Sequence, residues 1–205
     1  MLAPFLVLDD LTFTIENVGS YNESIVLKFD NSHYQIDCRL DRLIFIYEGS
    51  GDTLQNSNGP IKLFMNVLEA YKKLDTFGKI KNILIAHTAI NVLEKDPKEI
   101  LVDFKNKYLN KAVLNFVDSE DIAIILERGN EDYHIKVDFG IYSPKDFVKH
   151  SISRFNSEYN LQFKDKFGVM AVCQISEKTK ECDFDKFKVI FKESLKIIQK
   201  IGYGE

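Results

Sequence analysis

His87 is the one ionisable ring inside an apolar run, Ile83-Leu84-Ile85-Ala86-His87-Thr88-Ala89-Ile90. A histidine so placed can serve as a general base, as a ligand, or as a core side chain whose ring nitrogens are satisfied by neighbours. Alternation along the run sets it on the side of Ile83, Ile85 and Ala89, which favours the core role and leaves His87 as the sole candidate for a catalytic residue. The other histidines offer less. His33 and His134 each flank a hairpin-like segment, where a turn or a solvent-facing side chain is the simpler account of a ring, and His150 lies on a predicted helix with no ligand four residues on.

Cys38, Cys173 and Cys182 are odd in number and widely spaced, which fits neither a disulfide framework nor a CxxC metal pattern and suits a reducing compartment. Cys38 and Cys173 fall within apolar strands, where a thiol packs as a small hydrophobe. Carboxylates gather at Asp9-Asp10, Glu94/Asp96/Glu99, Asp118/Glu120/Asp121 and Glu131-Asp132. Each cluster coincides with a predicted turn or helix start, where acids accept backbone N–H groups and oppose the helix dipole. No calcium-loop pattern, GxSxG, HExxH, GxGxxG or Walker sequence occurs, so no metal and no cofactor is expected, and an enzyme is disfavoured.

Twenty-seven basic against 31 acidic residues give a net charge of −4 with the signs interspersed. Nothing here forms the basic field that a phosphate backbone requires, so no nucleic acid is expected as partner. The stretch MLAPFLVLDDL has no basic leader and meets two aspartates early, and no run reaches the length of a membrane span. A soluble, cytoplasmic protein is the expectation, with no membrane partner.

These residues need elements to position them. LTFTIE (11–16) reads as a strand; 24–29 and 34–39 read as a hairpin around the polar turn 30–33; and 41–48 reads as a further strand. Residues 49–59, GSGDTLQNSNG, read as a surface loop. Pro60 opens a helix with Ile61, Phe64, Val67, Leu68, Tyr71 and Leu74 on one stripe, ended by Gly78. The run 80–93 is apolar on both faces around its centre and reads as a buried central strand. Asp96-Pro97 caps a helix over 97–109, 112–117 reads as a strand, and 121–139 forms a second hairpin around Gly129-Asn130. Ser143 to Asp146 has the form of a capping box before a helix over 144–156. A strand over 168–175 and a helix from Asp183 to Gly202, with Phe187, Ile190, Phe191, Ser194, Ile198 and Ile201 inward, complete the chain.

HYQIDCRLDRLIFIYEG (33–49) and DYHIKVDFG (132–140) thus repeat one theme, with Tyr34, Ile36, Cys38 and Leu40 or Tyr133, Ile135, Val137 and Phe139 alternating against polar neighbours. A lone hairpin is not stable in water and needs a helix across its apolar face. The expected fold is α+β: one domain over 1–205, built from two hairpin-plus-helix half-units, about 11–110 and 111–205. Its sheets are antiparallel, with helices packed on one face. Duplication and convergence on a common hairpin pattern both account for the likeness of the halves.

The order of elements resembles a sporadically distributed bacterial and archaeal α+β protein family. The residues that carry the likeness are Gln35 to Phe45 (QIDCRLDRLIF), the aromatic anchors Phe64 and Tyr71, the long strand Ile83 to Val92, and the acid-capped helix Asp183 to Ile201. The chain departs from the family in carrying His87-Thr88-Ala89 in the long strand. No activity is assigned to that family, so the resemblance implies none. A patterned scaffold without a chemical site reads as a non-enzymatic protein that binds another protein, as an immunity, antitoxin-like or defence-associated factor does, with strand edges open to a partner or to self-association. The alternative is a small-ligand or enzymatic pocket between the half-sheets, with His87 at its floor.

Overall fold

In a strand, side chains alternate between the two faces, so a sheet of alternating sequence has one apolar face that must be covered. The computed structural model describes residues 11–29, 33–39, 41–55, 59–73, 80–114, 122–152, 154–155, 157–178 and 184–203, and over these it shows a mixed α+β fold that meets this demand twice. Leu40, Leu74, Gly78, Cys182 and Asp183, with the acidic pair Asp9-Asp10 and the cluster Asp118/Glu120/Asp121, lie outside the described residues. The chain divides into two compact units, Met1–Phe77 with Ser151–Gln162, and Gly78–His150 with Phe163–Glu205.

The first unit holds an antiparallel meander, β1 (Leu11–Glu16), β2 (Ser24–Phe29), β3 (Tyr34–Arg39) and β4 (Leu43–Tyr47), in the order β1-β2-β3-β4. The register sets Leu27 opposite Ile36 and Ile36 opposite Phe45, so Phe29, Tyr34, Ile36, Cys38 and Phe45 share one face. Tyr34 stacks on Phe29 with ring centroids 4.2 Å apart. Two helices follow, α1 (Gly51–Gln55) and α2 (Pro60–Lys72). Phe64 of α2 meets Phe45 at 5.2 Å, and Phe64, Met65, Val67 and Leu68 are buried while Lys62, Asn66 and Glu69 are exposed, as the helical spacing requires. Burial of each large side chain contributes about 1.5–3 kcal/mol. The expected loop over 49–59 is in part helical, because Ser50 accepts from Thr53 N–H through its hydroxyl at 3.2 Å and from Leu54 N–H through its carbonyl, starting the short α1.

The second unit holds β5 (Asn82–Val92), β6 (Ala123–Gly129), β7 (Tyr133–Tyr142) and β8 (Gly168–Lys178), all antiparallel, in the order β5-β8-β7-β6. The hairpin around Gly129-Asn130 forms as expected, with the Asn130 side chain accepting from Asp132 N–H and Tyr133 N–H. Its helices are α3 (Pro97–Tyr108), α4 (Lys111–Leu114), α5 (Pro144–Lys149) and α7 (Phe184–Tyr203); α6 (Glu158–Leu161) belongs to the first unit. Asp96 caps α3 by accepting from Lys98 N–H at 2.8 Å. Phe104 and Tyr108 of α3 meet Phe139 edge-on, and Phe191 of α7 meets His87. Phe139 and His87 lie on the same face by register, so both helices cover one side of the sheet.

Several sequence expectations are corrected. The run 80–93 is not a central strand: among the described residues β5 lies at an edge and pairs only β8, and Leu84 on its uncovered face is 70% exposed. Pairing with β8 also moves this strand from the half-unit 11–110 into the second sheet. Residues 112–114 of the expected strand 112–117 belong to α4 instead, because the Asn110 side chain accepts from Val113 N–H and its carbonyl from Leu114 N–H, and residues 115–117 lie outside the described residues. The helix expected over 144–156 begins with Asp146 accepting from both the N–H and the hydroxyl of Ser143, but it stops at Lys149, where Ser151 takes φ +49°. The last helix runs through Gly202 to Tyr203.

What draws the chain away at residue 151 is Glu48, a 7% exposed carboxylate at the end of β4. It accepts from the backbone N–H groups of Arg154 and Phe155 and from the Ser157 hydroxyl, and so fastens residues 151–162 into the first unit across more than a hundred residues of sequence. Asn160 reinforces the segment by donating to the Ile152 carbonyl at 2.5 Å. Gly49 is required beside it: its φ is +152°, and a Cβ there would stand 2.3 Å from the Tyr47 hydroxyl. Glu48→Ala leaves two part-buried N–H groups without this acceptor and is expected to cost about 1–3 kcal/mol by chemical denaturation, with early hydrogen exchange at Arg154 and Phe155. Gly49→Ala is expected to cost about 1–3 kcal/mol through backbone strain and the clash with Tyr47.

Candidate functional site

His87 faces inward from β5, directly opposite Cys173 of β8. Its ring meets Phe191 edge-on at 5.1 Å, and among the described residues its Nε2 is buried without a hydrogen-bond partner. Cys173 is fully buried, and Ser194 beside Phe191 on α7 spends its hydroxyl on the Phe191 carbonyl at 2.7 Å. A cysteine opposite a histidine is the raw material of nucleophilic catalysis, which needs a thiolate and an imidazolium. The surroundings drive both groups the other way. Burial lowers the His87 pKa to about 4, and burial together with the charge of Glu193 pushes the Cys173 thiol up to about 11. Both side chains are neutral at physiological pH, so the pair is poised for packing and not for attack.

The remaining candidates are dispersed. His33 takes φ +51° at the β2–β3 turn, its carbonyl accepts from Glu48 N–H, and its Nδ1 is buried without a partner among the described residues. His134 is exposed on β7. His150 follows α5 with Nε2 4.0 Å from Asp146, four residues before it, but that carboxylate is held by Ser143. Glu94, Asp96 and Glu99 do not converge: Asp96 caps α3, and the shallow groove nearby alternates Lys95, Lys98, Glu99 and Asp103, with Lys95 and Asp103 paired at 2.7 Å. Asp132 of the Glu131-Asp132 pair gives its carbonyl to Lys178 N–H. Among the described residues no three His, Cys, Asp or Glu side chains gather as a cation site.

Two features escaped the sequence reading. The first lies on β3, where the side expected to be solvated carries the buried Asp37. Its Oδ2 accepts from Arg39 at 2.9 and 3.1 Å, and its Oδ1 has no partner among the described residues. The second is the turn between β1 and β2. Asn17 and Gly19 have positive φ, Ser20 N–H donates to the Asn17 carbonyl, Glu23 N–H donates to the Ser20 carbonyl, and the Glu23 carboxylate accepts from Gly19 N–H at 2.6 Å. This braced turn holds Val18 and Tyr21 out at 75% and 78% exposure. Phe13 and Ile15 of the edge strand β1 are 48% and 53% exposed. The result is an apolar strip along a sheet edge, carried by a turn whose own hydrogen bonds fix it. The signal in the sequence was the Asn-Val-Gly-Ser-Tyr-Asn run, whose Asn and Gly residues favour positive φ.

Comparison with known proteins returns no match to a family model, to a curated protein or to a solved structure.

The perturbed histidine yields a pH test. The unfolded chain protonates His87 near 6.5 while the folded chain resists until about 4, so stability is full above 6.5 and falls as pH drops toward 4. The loss attributable to this residue reaches about 3 kcal/mol. Urea denaturation of His87→Leu at several pH values is expected to lack that component and to match or exceed the native chain at pH 4.

Proposed function

We propose that this chain is a non-enzymatic recognition protein that takes an extended segment of another protein alongside β1. The observation that carries this reading is the braced β1–β2 turn, which presents Val18 and Tyr21 to solvent beside Phe13 and Ile15. Apolar side chains held out by a hydrogen-bonded turn gain free energy only when a partner removes them from water. Beside them, the outer edge of β1 pairs with no strand among the described residues, which suits strand addition. Alternation sets the specificity: a matching segment places apolar side chains on the side of Phe13 and Ile15, and hydroxyl or polar ones on the side of Thr12 and Thr14. The neutral Cys173–His87 pair supports binding over catalysis, and an immunity, antitoxin-like or defence role is the setting we infer.

The test is paired. Affinity capture from the native cells is run with the chain and with a Val18→Lys/Tyr21→Lys variant, and each captured protein is then purified and titrated calorimetrically against both. A partner that binds the native chain directly and binds the variant at least about tenfold more weakly supports the reading, since two desolvated anchors commonly contribute that much or more. Direct binders that ignore the double substitution, or none at all, would overturn it.

A further inference from the structure

β5 has the composition of an interior strand and the position of an edge strand. Its eleven residues, NILIAHTAINV, contain no charge, no proline and no glycine. Edge strands are ordinarily blunted by charge, proline, bulges or shortness, because a long bare edge pairs with whatever strand it meets. β6, at the other edge of the same sheet, carries Glu127 and Arg128. On β5 the covered face is complete, with Ile83 and Ile85 buried, whereas Leu84 on the opposite face is 70% exposed and Ala86 and Thr88 are open to solvent. The strand is apolar on both faces, yet among the described residues no strand pairs with its outer side.

We propose that the missing neighbour is β5 of a second copy of this chain, paired antiparallel about a two-fold axis at His87. This goes beyond recognition through β1, since it uses a different edge in a different unit. The flanking charges select a second copy: Lys81 precedes the strand and Glu94 follows it. Antiparallel self-pairing brings the Lys81 end of one copy beside the Glu94 end of the other, at both ends of the ladder. The same charges select the register. Centred on His87, it sets Leu84 opposite Ile90 of the second copy, Ala86 opposite Thr88 and Ile85 opposite Ala89, and Lys81 falls opposite Leu93. Moving the centre to Thr88 sets Lys81 directly against Lys95, and moving it to Ala86 sets Leu84 against Thr88. Opposed apolar pairs and the avoidance of like charge agree on one register. The β5-β8-β7-β6 sheet of one copy then runs on into that of the other.

Sedimentation velocity from about 1 to 100 µM, the range in which an interface of this modest size is populated, measures the association. The expected result is a concentration-dependent dimer, weakened about tenfold or more by Leu84→Lys, which places a charge against Ile90 of the other copy. Thr88→Lys serves as the second variant, with near-ultraviolet circular dichroism checking that each remains folded. Ala86→Cys/Thr88→Cys is expected to give disulfide-linked dimers on mild oxidation, and Leu84→Cys/Thr88→Cys to give few. A monomer throughout the range, a dimer indifferent to both lysine variants, or cross-linking that prefers the second cysteine pair would each overturn the proposal. Val18→Lys/Tyr21→Lys leaves β5 untouched and is expected to dimerise as the native chain does, so failure here is separable from failure at β1.

Discussion

Each sheet in this protein has to hide the side on which its large apolar residues fall, and most of the architecture answers that constraint. Where Phe29, Tyr34, Ile36 and Phe45 share a face, α2 supplies Phe64; where His87, Phe139 and Cys173 share one, α3 and α7 supply Phe104, Tyr108 and Phe191. Burial at about 25 cal/mol per Å² of apolar area favours this arrangement, and the two-residue period of a strand decides which residues take part. Polar groups are tolerated inside only where they are neutral or held. His87 and Cys173 are kept uncharged by the same packing that surrounds them, which removes the chemistry their types suggest.

Glu48 is a held carboxylate that also organises its surroundings. Two consecutive backbone N–H groups and a hydroxyl converge on it, in the manner of a helix cap spread over distant segments. Its acceptors allow the chain to leave the second unit after His150, contribute α6 to the first, and return at Phe163, where the Tyr142 hydroxyl donates to the Phe163 carbonyl at 2.8 Å. The Glu48 carboxylate, between Tyr47 and Gly49, thus sets how the 151–162 segment is held.

The sequence alone determined most local structure. Alternation located the β2–β3 and β6–β7 hairpins, the 3.6-residue stripe located α2 and α7, and Pro60, Asp96 and the Ser143–Asp146 box located helix starts. These are short-range effects, in which a residue and its neighbours within four positions carry the whole cause. Tertiary structure alone decided the rest. Whether an apolar run such as 82–92 is central or at an edge depends on which strands close beside it, and its own residues are the same in either case. Glu48 could not be read as a clasp because its partners lie 106 to 109 positions away. His87 looked like a candidate for chemistry because its type is chemical; the protonation state that removes that chemistry comes from α7 and β8, and no neighbour in sequence could have announced them.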